Sequence, residues 1–143
     1  MQVKLAKEAA DFGILITDAA ESLAFYRDLL GLEHTGDVAL PADWQGTMHL
    51  LRCGASLVKL VRLDDIPNAQ PTEPERLEAA TGLRYWTIPV LNHDEVIAEC
   101  ERAGVRIVKP TVHVPETGSR FTLLADPDGN IVEILGYPED ESQ

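Results

Sequence analysis

The sequence predicts an α+β fold made of two tandem βαβββ modules, a duplication within one short chain. Three observations carry that expectation. Helix starts recur at Asp18 with Glu21 and at Asn92 with Glu95, and each residue lies 74 positions from its counterpart. Each start follows a strand-like run and leads into an apolar stripe that ends at a glycine, Gly31 or Gly104. After each helix come further strand-like runs, "TMHLLRCGASLVKLVRL" in the first half and "RFTLLADPDGNIVEILG" in the second.

The elements follow in order. Residues 11–17 read as a strand, Asp18 as a helix cap, and Leu23, Tyr26 and Leu30 as the buried stripe of the first helix. Residues 63–82, rich in Pro, Asp, Glu and Asn, read as a linker. Residues 83–90 open the second half as a strand. Asn92 caps its helix, whose stripe is Val96, Cys100 and Ala103, and "DPDG" turns the last hairpin. The expected organisation is one domain over 1–143: module one about 9–62, linker 63–81, module two about 82–137 and an acidic tail, 138–143.

Composition narrows the function. Hydrophobic content of 45% and charged content of 25% suit a globular chain with a real core. A formal net charge of −12 repels polyanions, so neither nucleic acid nor an anionic membrane is an expected partner. Two cysteines, Cys53 and Cys100, make no disulfide framework, and a reduced cytoplasmic protein is expected. "MQVKLAKEAADFG" has no long apolar core, and no later run approaches a membrane span. No cofactor is implied, because the chain has neither a Gly-rich phosphate loop nor zinc-type His/Cys spacing.

Strand side chains alternate between faces. One face of each of four strands is purely apolar: Phe12, Ile14 and Ile16; Val58 and Leu60; Trp86, Ile88 and Val90; Val132 and Ile134. The opposite faces are Asp11, Gly13, Leu15 and Thr17; Leu57, Lys59 and Val61; Leu83, Tyr85 and Thr87; Ile131, Glu133 and Leu135. The same 74-residue offset relates Asp11 to Tyr85 and Lys59 to Glu133. Helices on one side and this mixed face on the other suggest a pocket with a polar centre.

The segments "FGILITDAAESLAFYRDLLGLE", "AECERAGVRIVKP" and above all "LLADPDGNIVEIL" resemble the vicinal oxygen chelate superfamily over residues 9–137. The superfamily includes glyoxalase I, methylmalonyl-CoA epimerase, extradiol dioxygenases and the bleomycin and fosfomycin resistance proteins. The resemblance implies paired βαβββ modules forming a curved mixed sheet around a cavity, helices on the outer face, usually in a homodimer. It also implies a divalent metal held by His, Gln or Glu at positions that fall here on Asp11, Lys59, Tyr85 and Glu133. Only Glu133 is a usual ligand among them.

An ammonium has three donors and no acceptor, so Lys59 cannot ligate and its charge repels a divalent ion. Lys59 therefore reads as an internal cation in place of the metal, balanced by Glu133, Asp11 or both, with the Tyr85 hydroxyl nearby. His49 joins this cluster if Cys53–Ala55 is a three-residue hairpin loop, which pairs His49 with Lys59. A two-residue loop turns it away. The repeat favours the first option, since Leu123 precedes Glu133 by the same ten residues as His49 precedes Lys59.

Leu15, Leu57, Phe121 and Leu123 would line the pocket. Trp44 could cover an apolar ligand or pack the module end, and His113 lies in a segment read as a loop that covers the pocket or, the preferred reading, leaves His113 exposed at the surface. Arg120 faces away from Phe121 and Leu123, Trp86 faces the helix, His93 reads as exposed, and His34 has no role.

The leading expectation is a metal-independent enzyme acting on a small organic molecule by acid–base chemistry, as an isomerase, lyase or ring-opening enzyme. His49 would be the base ahead of Glu133, which a tight pair with Lys59 would make a poor one, and Lys59 and Tyr85 would stabilise an oxyanion. One alternative is a protein that binds or sequesters a small molecule without turnover. Another is a metal enzyme with an atypical site of Asp11, Glu133 and His49.

Overall fold

The computed structural model describes residues 1–41, 43–66 and 77–138. Much of the expected linker, 67–76, and the acidic tail beyond 138 lie outside the described residues. The chain divides into two compact units, residues 1–68 and 69–143.

The first unit contains β1 (Phe12–Leu15), α1 (Ala19–Leu23), β2 (Glu33–Ala39), β3 (Gly46–Cys53) and β4 (Ser56–Leu63). Its four strands form one sheet in the order β1-β4-β3-β2, with β1 parallel to β4 and the other pairs antiparallel. The Asp18 side chain accepts a hydrogen bond from the Glu21 backbone N–H at 3.0 Å, the cap that the sequence predicts. Beyond α1, residues Ala24–Leu29 widen into a π-helical turn, closed by the Leu30 N–H donating to the Phe25 carbonyl at 3.0 Å. The wider turn lets the adjacent residues Phe25 and Tyr26 both turn inward, their rings edge-on at 4.8 Å. Gly31, at φ +78°, then turns the chain out of the helix.

The second unit contains β5 (Tyr85–Val90), α2 (His93–Arg102), β6 (Arg106–Val114), β7 (Ser119–Ala125) and β8 (Ile131–Gly136). A single turn of 3-10 helix, Leu77–Ala79, precedes β5. The sheet order β5-β8-β7-β6 repeats that of the first unit, with β5 parallel to β8. At the α2 start the Asn92 side chain bonds the Glu95 carboxylate at 2.7 Å and caps no backbone N–H.

In both units the apolar strand face is buried, and in the second Leu123, Ala125 and Ile131 are buried on the Glu133 face as well. Tyr26, Leu51, Val58 and Leu60 are fully buried in the first, and Leu124, Val132 and Ile134 in the second. Burying one such side chain is worth about 1.5–3 kcal/mol, which fixes which face turns inward. His93, expected to be exposed, is only 1% exposed. Gly136 makes room for it: a Cβ there would stand 2.6 Å from the His93 Cβ. The buried imidazole is satisfied by the Thr122 hydroxyl at 3.0 Å through Nε2 and by Asp94 at 3.0 Å through Nδ1.

The "DPDGN" turn closes on the buried Asp126. Its carboxylate accepts from the Asp128 and Asn130 backbone N–H groups and from the Asn130 side-chain amide, at 2.8–2.9 Å.

Candidate functional site

Strand pairing sets what surrounds each candidate residue. In the first unit Lys59 pairs with Gly13 on one side and Leu50 on the other. Asp11, Gly13 and Leu15 thus share a sheet face with Leu57, Lys59 and Val61, as the alternation predicts. Lys59 is half-buried between a glycine and a leucine. A Cβ on Gly13 would meet nothing within 4 Å, so the surface beside the lysine stem is open.

Asp11 lies at the same end of β1. It accepts from the Leu57 backbone N–H at 2.8 Å and pairs with Lys7 at 2.5 Å. The Lys7 hydrogen bond, then the Leu57 N–H, hold its carboxyl below the usual range, and the Lys59 charge adds to this.

In the second unit Glu133 pairs with Thr87 on one side and Leu123 on the other. The Thr87 hydroxyl donates to the Glu133 carboxylate at 2.9 Å. Thr87 stands in the second sheet where Gly13 stands in the first, and its hydroxyl was not anticipated as a partner. Its signal was in the sequence, since residues 13 and 87 carry the 74-residue offset. Tyr85, at the start of β5, is 47% exposed and pairs with Ile131. Phe121 is half-buried and Leu123 buried, both on the Glu133 face, while Leu15 is exposed and Leu57 half-buried on the Lys59 face. Trp44 is exposed between β2 and β3.

Two expectations are corrected. The β3–β4 hairpin turns through Gly54 and Ala55 alone, with Cys53 paired to Ser56. His49 therefore pairs with Leu60, and Leu50 takes the place opposite Lys59. A one-residue change of register moves a side chain to the other face, so His49 lies on the Leu60 face, away from Lys59. In the other unit Leu123 does pair with Glu133, because five residues separate β7 from β8 there. The second correction concerns His113, which belongs to strand β6 and not to a loop. The turn into β7 is tight, and His113 pairs with Arg120, on the face opposite Glu133. Arg120 binds Asp94 on that same helix side, as its parity predicts.

The displaced His49 has partners of its own. Its Nδ1 lies 2.7 Å from Asp37 Oδ1, and His34 Nε2 lies 2.6 Å from the same oxygen. Both imidazoles, His34 first, hold the Asp37 carboxyl below its usual range. Sequence reasoning missed this group because His34 and Asp37 are three residues apart, and an unbroken strand would send them to opposite faces.

The four family metal positions do not suit a divalent ion. Lys59 offers no lone pair and carries a charge that repels a cation, Tyr85 presents a phenol hydroxyl where the family uses an imidazole, and Asp11 Oδ1 already accepts two hydrogen bonds. Glu133 alone brings a donor that the family usually uses there.

Residues 9–134 match the family model of the Glyoxalase/Bleomycin resistance protein/Dioxygenase superfamily. The uncharacterized protein YaeR of Escherichia coli K12 is 34% identical over 131 residues, covering 90% of this chain and 95% of YaeR. A glyoxalase family protein from Enterococcus faecalis superposes with a TM-score of 0.67 at 25% identity, over 89% of this chain and 93% of its own. A second one, from Bacillus cereus, reaches a TM-score of 0.78 at 16% identity, over 95% and 97%, a likeness of fold.

Proposed function

This chain belongs to the Glyoxalase/Bleomycin resistance protein/Dioxygenase superfamily, and from that premise we propose that it is an enzyme without the family's metal, acting on a small organic molecule by acid–base chemistry. The observation that carries the reading is Lys59, a cation fixed in β4 at a family ligand position, with open surface beside it over Gly13. Its ammonium supplies the positive charge that a metal otherwise supplies, stabilising an enolate or other oxyanion. Glu133 is the base. Its partner in β8's own sheet is the Thr87 hydroxyl, which orients a carboxylate without cancelling its charge. Tyr85 is a further hydroxyl donor, and Asp11, tied to the Leu57 N–H, adds negative charge near Lys59. The family's paired modules also support a homodimer.

Deuterium exchange provides the test. After exhaustive chelation, the protein is incubated in D₂O with a panel of α-hydroxy ketones, 2-oxo acids and acyl thioesters, and loss of the α-proton is followed by NMR. Exchange is expected to survive chelation. It should fall by about 10²–10³-fold in Lys59→Gln and about 10²–10⁴-fold in Glu133→Gln. Exchange that vanishes on chelation and returns with added metal would sink the proposal.

A second reading, binding without turnover, draws support from the exposed apolar surface of Leu15 and Tyr85 on these faces. Ligand binding that survives Lys59→Gln and Glu133→Gln together, with no product formed, would favour it.

A further inference from the structure

We propose that His34, Asp37 and His49 form a divalent-metal site of zinc type, separate from the family positions and built on the β2–β3 pair. The three ligand atoms lie within 4.8 Å of one another. Two imidazoles and one carboxylate are the donors that three-ligand zinc centres use, with the fourth position left for water or another ligand.

The backbone brings them together by a specific device. The β2–β3 register shifts between His34 and Gly36, leaving Thr35 as an extra residue. On either side of that bulge, His34 pairs with Leu51 and Asp37 pairs with His49. Leu51 and His49 are two apart on β3 and so share a face. The bulge thus puts His34 on the face of Asp37 and His49, where regular alternation would put it on the other. Bulges re-aim side chains in this way, often beside functional sites.

Exposure and charge fit a site that an ion can enter. The imidazoles are held at 13% and 21% side-chain exposure for His49 and His34, while Asp37 is 48% exposed. β2 is an edge strand, so the carboxylate side is open. A chain of net charge −12 draws cations toward it. Asp37 Oδ1 bridges the two rings at 2.6 and 2.7 Å. Tetrahedral zinc bonds of about 2.0–2.1 Å separate donors by about 3.3 Å. Opening the two carboxylate contacts by less than about 1 Å, with the two ring nitrogens brought from within 4.8 Å to the same spacing, admits the ion. Imidazole nitrogen suits zinc, nickel and copper, and the hard carboxylate keeps the site from selecting soft ions alone.

The experiment is titration of the chelator-stripped protein with Zn²⁺ alone, against a chromophoric chelator, with thermal unfolding as a parallel readout. One equivalent per chain and a zinc-dependent rise in Tm are expected. Asp37→Asn and His49→Gln should each weaken zinc by about 100-fold or more, beyond the effect of losing an orienting partner. Glu133→Gln should leave it unchanged. Co²⁺ in place of zinc should give the visible absorption of a four-coordinate site, absent in His49→Gln. No saturable zinc site in the wild-type chain would overturn the proposal without recourse to variants. So would a site that survives Asp37→Asn with His34→Gln and His49→Gln combined, or one abolished by Glu133→Gln.

Discussion

Gly136→Ala isolates the joint between α2 and its sheet. The added methyl would lie 2.6 Å from the His93 Cβ, 3.1 Å from its Cγ and 3.5 Å from the Arg120 Cγ. Ordinary carbon contacts are about 3.5–4.0 Å, so α2 and β8 must part by roughly 1 Å. His93 cannot swing clear, because its Cβ is fixed to the helix backbone and its ring is buried. Overpacking of this kind costs about 1–3 kcal/mol. The shift also breaks the 3.0 Å bond from His93 to Thr122, worth about 0.5–1.5 kcal/mol. The sum is about 1.5–4.5 kcal/mol, or a Tm lowered by roughly 4–18 °C in a chain of this length. Thermal unfolding by circular dichroism reads it. Gly13→Ala, whose Cβ meets nothing within 4 Å, is the control and should stay within about 0.5 kcal/mol of wild type. Thr122→Val in both backgrounds completes a cycle in which the hydroxyl matters less once Gly136 is gone. A Gly136→Ala protein that melts with wild type would refute the packing argument.

Other variants probe separate contacts. Asp126→Ala leaves two turn N–H groups and the Asn130 amide without their acceptor and should cost about 2–4 kcal/mol in urea unfolding. Burial, then Glu99 and Glu101, push the Cys100 thiol up to about 11, and burial raises Cys53 as well. With iodoacetamide at pH 8, mass spectrometry of the folded chain should find Cys100 unmodified and Cys53, half-exposed, labelled first. His93 and then Arg120 hold the Asp94 carboxyl below its usual range, so its contribution is present above about pH 4, the unfolded value, and fades as pH falls through the folded one. The urea-midpoint difference between wild type and Asp94→Asn should therefore be larger at pH 6 than at pH 2.5.

The repeat was legible because its signals are local. Asp18 and Glu21 announce one helix start, Asn92 and Glu95 the other, and alternation alone assigns Lys59 and Glu133 to the faces away from the core. What escaped depends on single-residue accidents of the backbone. The loop at Gly54–Ala55 is one residue shorter than the repeat suggested, and that flips His49 across the sheet. The Thr35 bulge leaves no mark that "EHTGDV" could reveal, and regular alternation without it sends His34 and Asp37 to opposite faces. His93 looked exposed because it follows a helix cap. Gly136, the missing side chain beneath it, belongs to a strand 43 residues away, and only tertiary packing joins them.

In the proposed function Lys59 stands where the family places its metal. Metal content per chain tests it most directly, by elemental mass spectrometry after equilibration with Zn, Mn, Ni and Fe and desalting, on wild type, Glu133→Ala and the paired His34→Gln and His49→Gln variant. Glu133→Ala should change nothing, and the histidine variant should lose whatever metal the chain holds. Metal lost in Glu133→Ala but kept in the histidine variant would contradict that placement of Lys59 and return the family's metal to its usual place.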